Sequence, residues 1–182
     1  MKRLFIAIDL PGEIQALIHS ICYGLEGARW VRPGQIHLTM RFIGDADGIL
    51  HRHICEVLDD VAQDPFDLKI KGIGHFPPRR KPKVLWLGAE PLDKLSALRN
   101  KIESALQKTS LEPEHRKFSP HITIARFKDS PPIKKVAGFM ALHSLFKSPA
   151  FKVDSFHLYS SILSPKGAIH QIEHTYSLDT TP

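Results

Sequence analysis

Cysteine is scarce in this sequence: Cys22 and Cys55 are the two among 182 residues. Two thiols cannot build a disulfide framework, and without a second pair they cannot supply the thiolate set of a structural zinc site. Both are read as packing residues on apolar helix faces of a protein expected in the reducing cytoplasm. Long apolar runs are missing too. None approaches the roughly 20 residues of a membrane-spanning helix, and the opening run meets Asp9 too soon for a signal peptide. Low-complexity tracts do not occur, and no cluster of carboxylates marks a metal site, so neither metal nor cofactor is expected. Acidic residues are outnumbered, 19 Asp and Glu against 25 Lys and Arg, which gives a net charge of +6. That balance favours a polyanionic partner without naming one.

What is present is a short pattern used twice. In Ser119-Pro-His-Ile-Thr-Ile-Ala-Arg126, alternation along a strand puts His121 and Thr123 on one face and Ile122 and Ile124 on the other. Ile36-His-Leu-Thr-Met-Arg-Phe42 repeats this with His37 and Thr39, 84 residues earlier. Each copy follows an apolar run, a proline and an amphipathic stretch: Leu4 to Ile8 with Pro11, then Val84 to Leu87 with Pro91. Each is followed by a helix-like segment and an alternating run, 66–71 in one case and 151–156 in the other. A whole unit has been used twice.

The units span about 3–75 and 84–178, and one domain of two lobes over 1–182 is expected. Spacings of three and four predict a helix from Pro11 that carries Ile14, Ile18, Cys22 and Leu25 and closes at Gly24 and Gly27. The acidic turn at 45–48 opens a second helix, Pro91 a third and Pro131-Pro132 a fourth. Strands are expected at 66–73 and 151–161, the latter returning through a hairpin turn at Ser164-Pro-Lys-Gly167. The mixture gives an α+β protein: two pseudo-symmetric lobes, each an antiparallel sheet with helices, facing across a central groove. Between the units, His75-Phe-Pro-Pro-Arg-Arg-Lys-Pro-Lys83 is either a solvated connector or a basic arm that holds phosphates. Trp30 either stacks on a base or packs its lobe. Paired His51 and His53 diverge on a helix and do not make a metal site.

Two imidazoles, each with a hydroxyl two residues on, fit acid–base chemistry at phosphorus. Histidine titrates near neutrality, so one ring can accept a proton while another donates one. Opening a cyclic phosphate needs both roles on opposite sides of phosphorus, and hydroxyls can donate to its charged oxygens. Arg126 is a further phosphate-binding candidate, although alternation places it with Ile122 and Ile124 unless a bulge re-aims it. Phe42 is its counterpart in the first unit and a candidate base contact.

On these motifs, together with Arg3-Leu-Phe-Ile-Ala-Ile-Asp-Leu-Pro11, Trp30-Val31, Phe42-Ile-Gly44, Leu85-Trp-Leu-Gly88 and Leu158-Tyr-Ser160, the chain resembles the two-histidine phosphoesterases. Within them it is most similar to the RNA 2′,3′-cyclic phosphodiesterases, or 2′-5′ RNA ligases. The resemblance implies His37 as the proton donor, His121 as the proton acceptor, and Thr39 and Thr123 on phosphate. It also implies a 2′-phosphate product, an ATP-independent reverse joining reaction, no metal, and a monomer acting on RNA with 2′,3′-cyclic phosphate ends, tRNA fragments among them. His170 departs from the tyrosine expected there. Rival readings are a binding module that senses RNA ends or nucleotides, a phosphodiesterase of small cyclic nucleotides, and a metal-dependent phosphoesterase.

Overall fold

The computed structural model describes residues 1–129, 131–164 and 167–178. Its elements in chain order are β1 (Lys2–Asp9), α1 (Gly12–His19), β2 (Ala28–Trp30), β3 (His37–Ala46), α2 (Gly48–Leu58), β4 (Phe66–Phe76), β5 (Val84–Glu90), α3 (Leu92–Leu106), β6 (His121–Phe127), α4 (Ile133–Leu142), β7 (Phe151–Val153), β8 (Ser155–Ser164) and β9 (Gly167–Ser177). The strands form two antiparallel sheets, ordered β3-β1-β8-β9 and β2-β6-β5-β4-β7. This is the expected α+β architecture.

Within each repeat the opening strand pairs with the motif strand, β1 with β3 and β5 with β6. The closing strand crosses over. β4, from the first unit, pairs with β5 of the second, and β8, from the second, pairs with β1 of the first. Each sheet therefore contains strands from both units, and covering one motif strand depends on the other half of the chain. The single strand expected over 151–161 is in fact two. β7 adds to the edge of β4, and after Asp154 the chain passes to the other sheet as β8.

Most of the core is one continuous cluster. Leu4, Ile6 and Ile8 of β1 meet Leu38 and Met40 of β3, while Leu85, Leu87, Ile122 and Ile124 do the same work in the second sheet. Burying each such side chain favours folding by about 1.5–3 kcal/mol. Helix α3 contributes Leu95, Leu98, Ile102 and Leu106, the stripe that its spacing predicts. Helix α2 opens where the Asp47 carboxylate accepts the Leu50 N–H at 2.8 Å.

Two boundaries differ from the sequence reading. Helix α1 stops at His19, because the chain tightens into three-residue hydrogen bonds, Ile21 N–H to Ile18 O and Cys22 N–H to His19 O. Cys22 therefore lies beyond the helix, but it is still buried, and the apolar environment pushes its thiol up to about 11. β4 runs on to Phe76, opposite Val84, which shortens the basic connector to 77–83. Pro165 and Lys166 of the last hairpin's turn lie outside the described residues. No helix among the described residues is long and apolar enough to cross a membrane.

Candidate active site

Both motif strands break their register at the same repeat position. In β3, Thr39 faces Ala7 of β1 and Arg41 faces Ile6, so Met40 has no partner of its own. In β6, Thr123 faces Trp86 of β5 and Ala125 faces Leu85, which leaves Ile124 unpartnered. One extra residue exchanges the faces of everything after it. His37, Thr39, His121 and Thr123 line one groove of about 1410 Å³, and beyond the bulges Phe42 and Arg126 join them. The objection from alternation to Arg126 is thereby removed. The side chain turned inward instead is Arg41 in β3 and Ala125 in β6, both buried.

Each histidine is held from behind. The Nδ1–H of His121 donates to the Ser119 carbonyl at 2.7 Å, which leaves Nε2 as the basic nitrogen of the neutral ring. His37 bonds the Gln35 backbone, also two residues upstream. Their surroundings differ. His121 meets the Phe76 ring edge-on, with centroids 4.9 Å apart, and has Trp86 at 6.4 Å. Trp86 lies over Gly74, where a Cβ would stand 2.3 Å from the indole. His37 is packed against Phe5 at 5.0 Å, with Tyr159 at 6.3 Å and His170 edge-on at 5.4 Å.

That enclosure changes its acidity. Burial, then the neighbouring His170 and more weakly Arg126, push the His37 imidazole down to about 4, against the pull of Asp9 and of the Gln35 backbone. Asp9 stands opposite His37 in register and accepts the Tyr159 hydroxyl at 2.6 and 2.7 Å. At the equivalent place opposite His121 is Gly88. The two halves of the groove are thus alike in backbone but unlike in charge.

Six cationic side chains line the groove, Arg3, Arg29, Arg32, Arg116, Arg126 and Lys128, and none of its described lining residues is a carboxylate. Sequence reasoning identifies only Arg126 among them. The other basic stretch it marks is the connector, read either as solvated or as a phosphate-holding arm, whose Arg79, Arg80 and Lys81 are exposed and do not line the groove. The available signal is Arg29 and Arg32 on either side of Trp30. That tryptophan also lines the groove and packs on Phe139 of α4 at 5.6 Å. Asp9 and Tyr159 escape a sequence reading because register between β1, β3 and β8 is not written locally. A smaller cavity of about 430 Å³ between α3 and the segment that follows α2 is lined by no imidazole. Among the described residues no group of three or more His, Cys, Asp or Glu side chains is placed to hold a metal ion.

Two sheets bringing duplicated His-x-Thr strands to one cationic groove define a two-histidine phosphoesterase fold. Residues 10–163 match the family model of the 2′-5′ RNA ligase superfamily. The chain is 31% identical to the RNA 2′,3′-cyclic phosphodiesterase of Archaeoglobus fulgidus over 172 residues, 93% of this chain and 96% of the relative. It is also 31% identical to the protein of that name from Thermotoga maritima, covering 93% and 92%. Among solved structures, a Thermus thermophilus protein superposes with a TM-score of 0.82 at 25% identity, covering 97% of each chain. Escherichia coli LigT complexed with 3′-AMP gives 0.79 at 25% identity, covering 97% and 98%. The chain belongs to the 2′-5′ RNA ligase superfamily, a family of RNA-processing enzymes.

Proposed function

We propose that this protein hydrolyses the 2′,3′-cyclic phosphate end of RNA to a 2′-phosphate end, with two histidines as acid and base. The observation that carries this reading is the pair of imidazoles in one groove, each anchored at its back by the backbone two residues upstream. His121 Nε2 takes a proton from water as the water oxygen attacks phosphorus. The bond from phosphorus to the 3′-oxygen breaks, and that oxygen leaves with the proton carried by His37. The product is a 2′-phosphomonoester and a 3′-hydroxyl. Thr39, Thr123 and Arg126 bind the non-bridging oxygens, where charge accumulates. Phe42, more than half exposed on the groove, offers an apolar surface to a base.

The low proton affinity of His37 fits this role. Without substrate the ring is neutral at pH 7 and cannot act as an acid. A phosphate anion beside it favours the charged form, so protonation is coupled to substrate arrival. A ring that parts easily from its proton then supplies it to the leaving oxygen.

RNA rather than a small cyclic nucleotide is favoured by size and charge. A groove of about 1410 Å³ exceeds the ~300–1,000 Å³ usual for small ligands, and its six cations outnumber the charges on one cyclic phosphate. A cytoplasmic monomer acting on cleaved RNAs, tRNA fragments among them, and joining 2′-5′ ends in reverse belongs to the same proposal. The test is turnover of a short RNA with a 2′,3′-cyclic phosphate end in EDTA, with identification of the product end. Conversion to a 2′-phosphate, slowed at least ~10³-fold by either His37→Ala or His121→Ala, is expected. Binding without conversion would favour an RNA-end sensor, and activity that EDTA abolishes and a divalent ion restores would favour a metal-dependent enzyme.

A further inference from the structure

A third imidazole stands in the groove beside the first. His170 lies on β9 opposite Ser161, lines the groove, and meets the His37 ring with centroids 5.4 Å apart and planes at 89°. Phe5 is a common floor for both, 5.0 Å from His37 and 4.9 Å from His170, and it also stacks on Tyr159 at 5.1 Å. The anchoring differs. His37 and His121 each have a backbone partner two residues upstream, whereas the Nδ1 of His170 is buried with no hydrogen-bond partner among the described residues.

We propose that His37 and His170 form a coupled imidazole pair that accepts no more than one proton between them on the leaving-oxygen side of the groove, which makes His170 a positioning residue for the acid. The inference rests on the assignment of His37 as the acid. Doubly protonated, the pair would set two cations a ring's width apart and bury an unpartnered Nδ1–H on His170. With one proton, the unanchored ring of His170 can take either neutral tautomer and turn its remaining N–H toward the groove. The charged and titratable groups around the pair are few. Asp9 of β1, held by the Tyr159 hydroxyl of β8 and 3.8 Å from His157 of the same strand, attracts the proton, and Arg126 of β6 repels it. Arg3 of β1 lies in the same groove lining. Asp9 thus pulls a proton toward the pair, and the anion of the substrate adds to that pull at His37.

The decisive experiment is an NMR titration of the histidine ring protons in the wild type, His170→Phe and His170→Tyr, without substrate, alongside the pH dependence of kcat/KM on cyclic-phosphate RNA. Both variants keep a ring on Phe5, and tyrosine also keeps a donor, but neither titrates near neutrality. A coupled pair predicts that the wild-type His37 and His170 signals move in the same two steps. In both variants His37 should titrate in one step about one pH unit or more higher, and the limb of the kcat/KM profile that His37 governs should move up with it. An unchanged His37 titration in both variants would overturn the pairing and leave His170 as packing. Rescue by tyrosine alone, with no change in His37, would overturn it in favour of a plain hydrogen-bond donor. The titration needs no turnover, so a wild type that is inactive on cyclic-phosphate RNA would refute the proposed function while the coupling was still measured.

Discussion

Phe42 and Arg126 occupy the same place in the two repeats, one opposite Phe5 and the other opposite Val84, and each is carried onto the groove by a single unpartnered residue three positions after its histidine. The shared bulge makes the groove symmetric in shape, and the residues it delivers make it asymmetric in chemistry. One arm presents an aromatic ring and the other a guanidinium.

The asymmetry predicts unequal effects of truncation. Arg126→Ala is expected to lower kcat/KM on cyclic-phosphate RNA by about 10²–10³-fold, mostly through kcat, because the proposed hydrogen bonds from its guanidinium would strengthen as charge develops on phosphorus. Phe42→Ala should act through KM, with kcat within about threefold of wild type. Steady-state kinetics on one short RNA separate the two, and an equal drop of kcat in both variants would contradict the division.

His37 also predicts a pH dependence of stability. Its proton affinity is depressed in the folded state, so between pH 6.5 and about 4 the unfolded chain binds a proton that the folded chain does not. Stability is then complete above pH 6.5 and falls as pH drops through that window, by about 3 kcal/mol in all. His37→Gln should lose correspondingly less over the same range. Urea unfolding at three pH values, one above, one inside and one at the foot of this window, measures the difference, and parallel losses in both proteins would refute it.

Arg41 is the inward counterpart of the bulge. Its guanidinium meets Glu103 of α3 at 3.0 Å and Glu114 at 3.1 Å and donates to the Glu112 carbonyl at 2.7 Å, which ties β3 to the loop leading into His121. Arg99 and Arg116 also serve these carboxylates. Arg41→Met should destabilise by about 3 kcal/mol, since it leaves buried Glu103 with one cation where it had two. Adding Glu103→Gln should recover part of that deficit in denaturant unfolding.

Gly74 keeps room for Trp86. A methyl there would overlap the indole, so Gly74→Ala should displace the ring and loosen the aromatic support of His121. A changed tryptophan emission spectrum with kcat reduced about tenfold or more is expected. Emission identical to wild type would mean that the backbone had moved instead.

RNA affinity should decline with salt, because each phosphate that a cationic side chain neutralises has released its counterions, with a log–log slope of about −0.7 per phosphate. Replacing Arg29 and Arg32 with alanine should flatten that slope by about 1.4, whereas replacing Arg79 and Arg80 should leave it nearly unchanged. Fluorescence anisotropy from about 50 to about 300 mM salt distinguishes groove from connector.

Much of this protein is settled by local pattern. Duplication of the His-x-Thr strands, the helix stripes of α2 and α3, and the α+β order follow from spacing and alternation along the chain, because period and side-chain polarity are properties of neighbouring residues. His37, Thr39, His121 and Thr123 are legible for the same reason, as no register has to be known to see that they share a strand face. Three things are decided only in the tertiary structure. The bulges at Met40 and Ile124 depend on how β3 and β6 pair with β1 and β5, and they reverse the orientation that alternation assigns to Arg126. The exchange of β4 and β8 between sheets depends on partners far away in sequence, and with it the placing of Tyr159 and Asp9 behind His37. The meeting of His170 with His37 joins residues 133 positions apart, and the proton affinity of His37 is set there by burial and by its neighbour's charge, which no local stretch of sequence encodes.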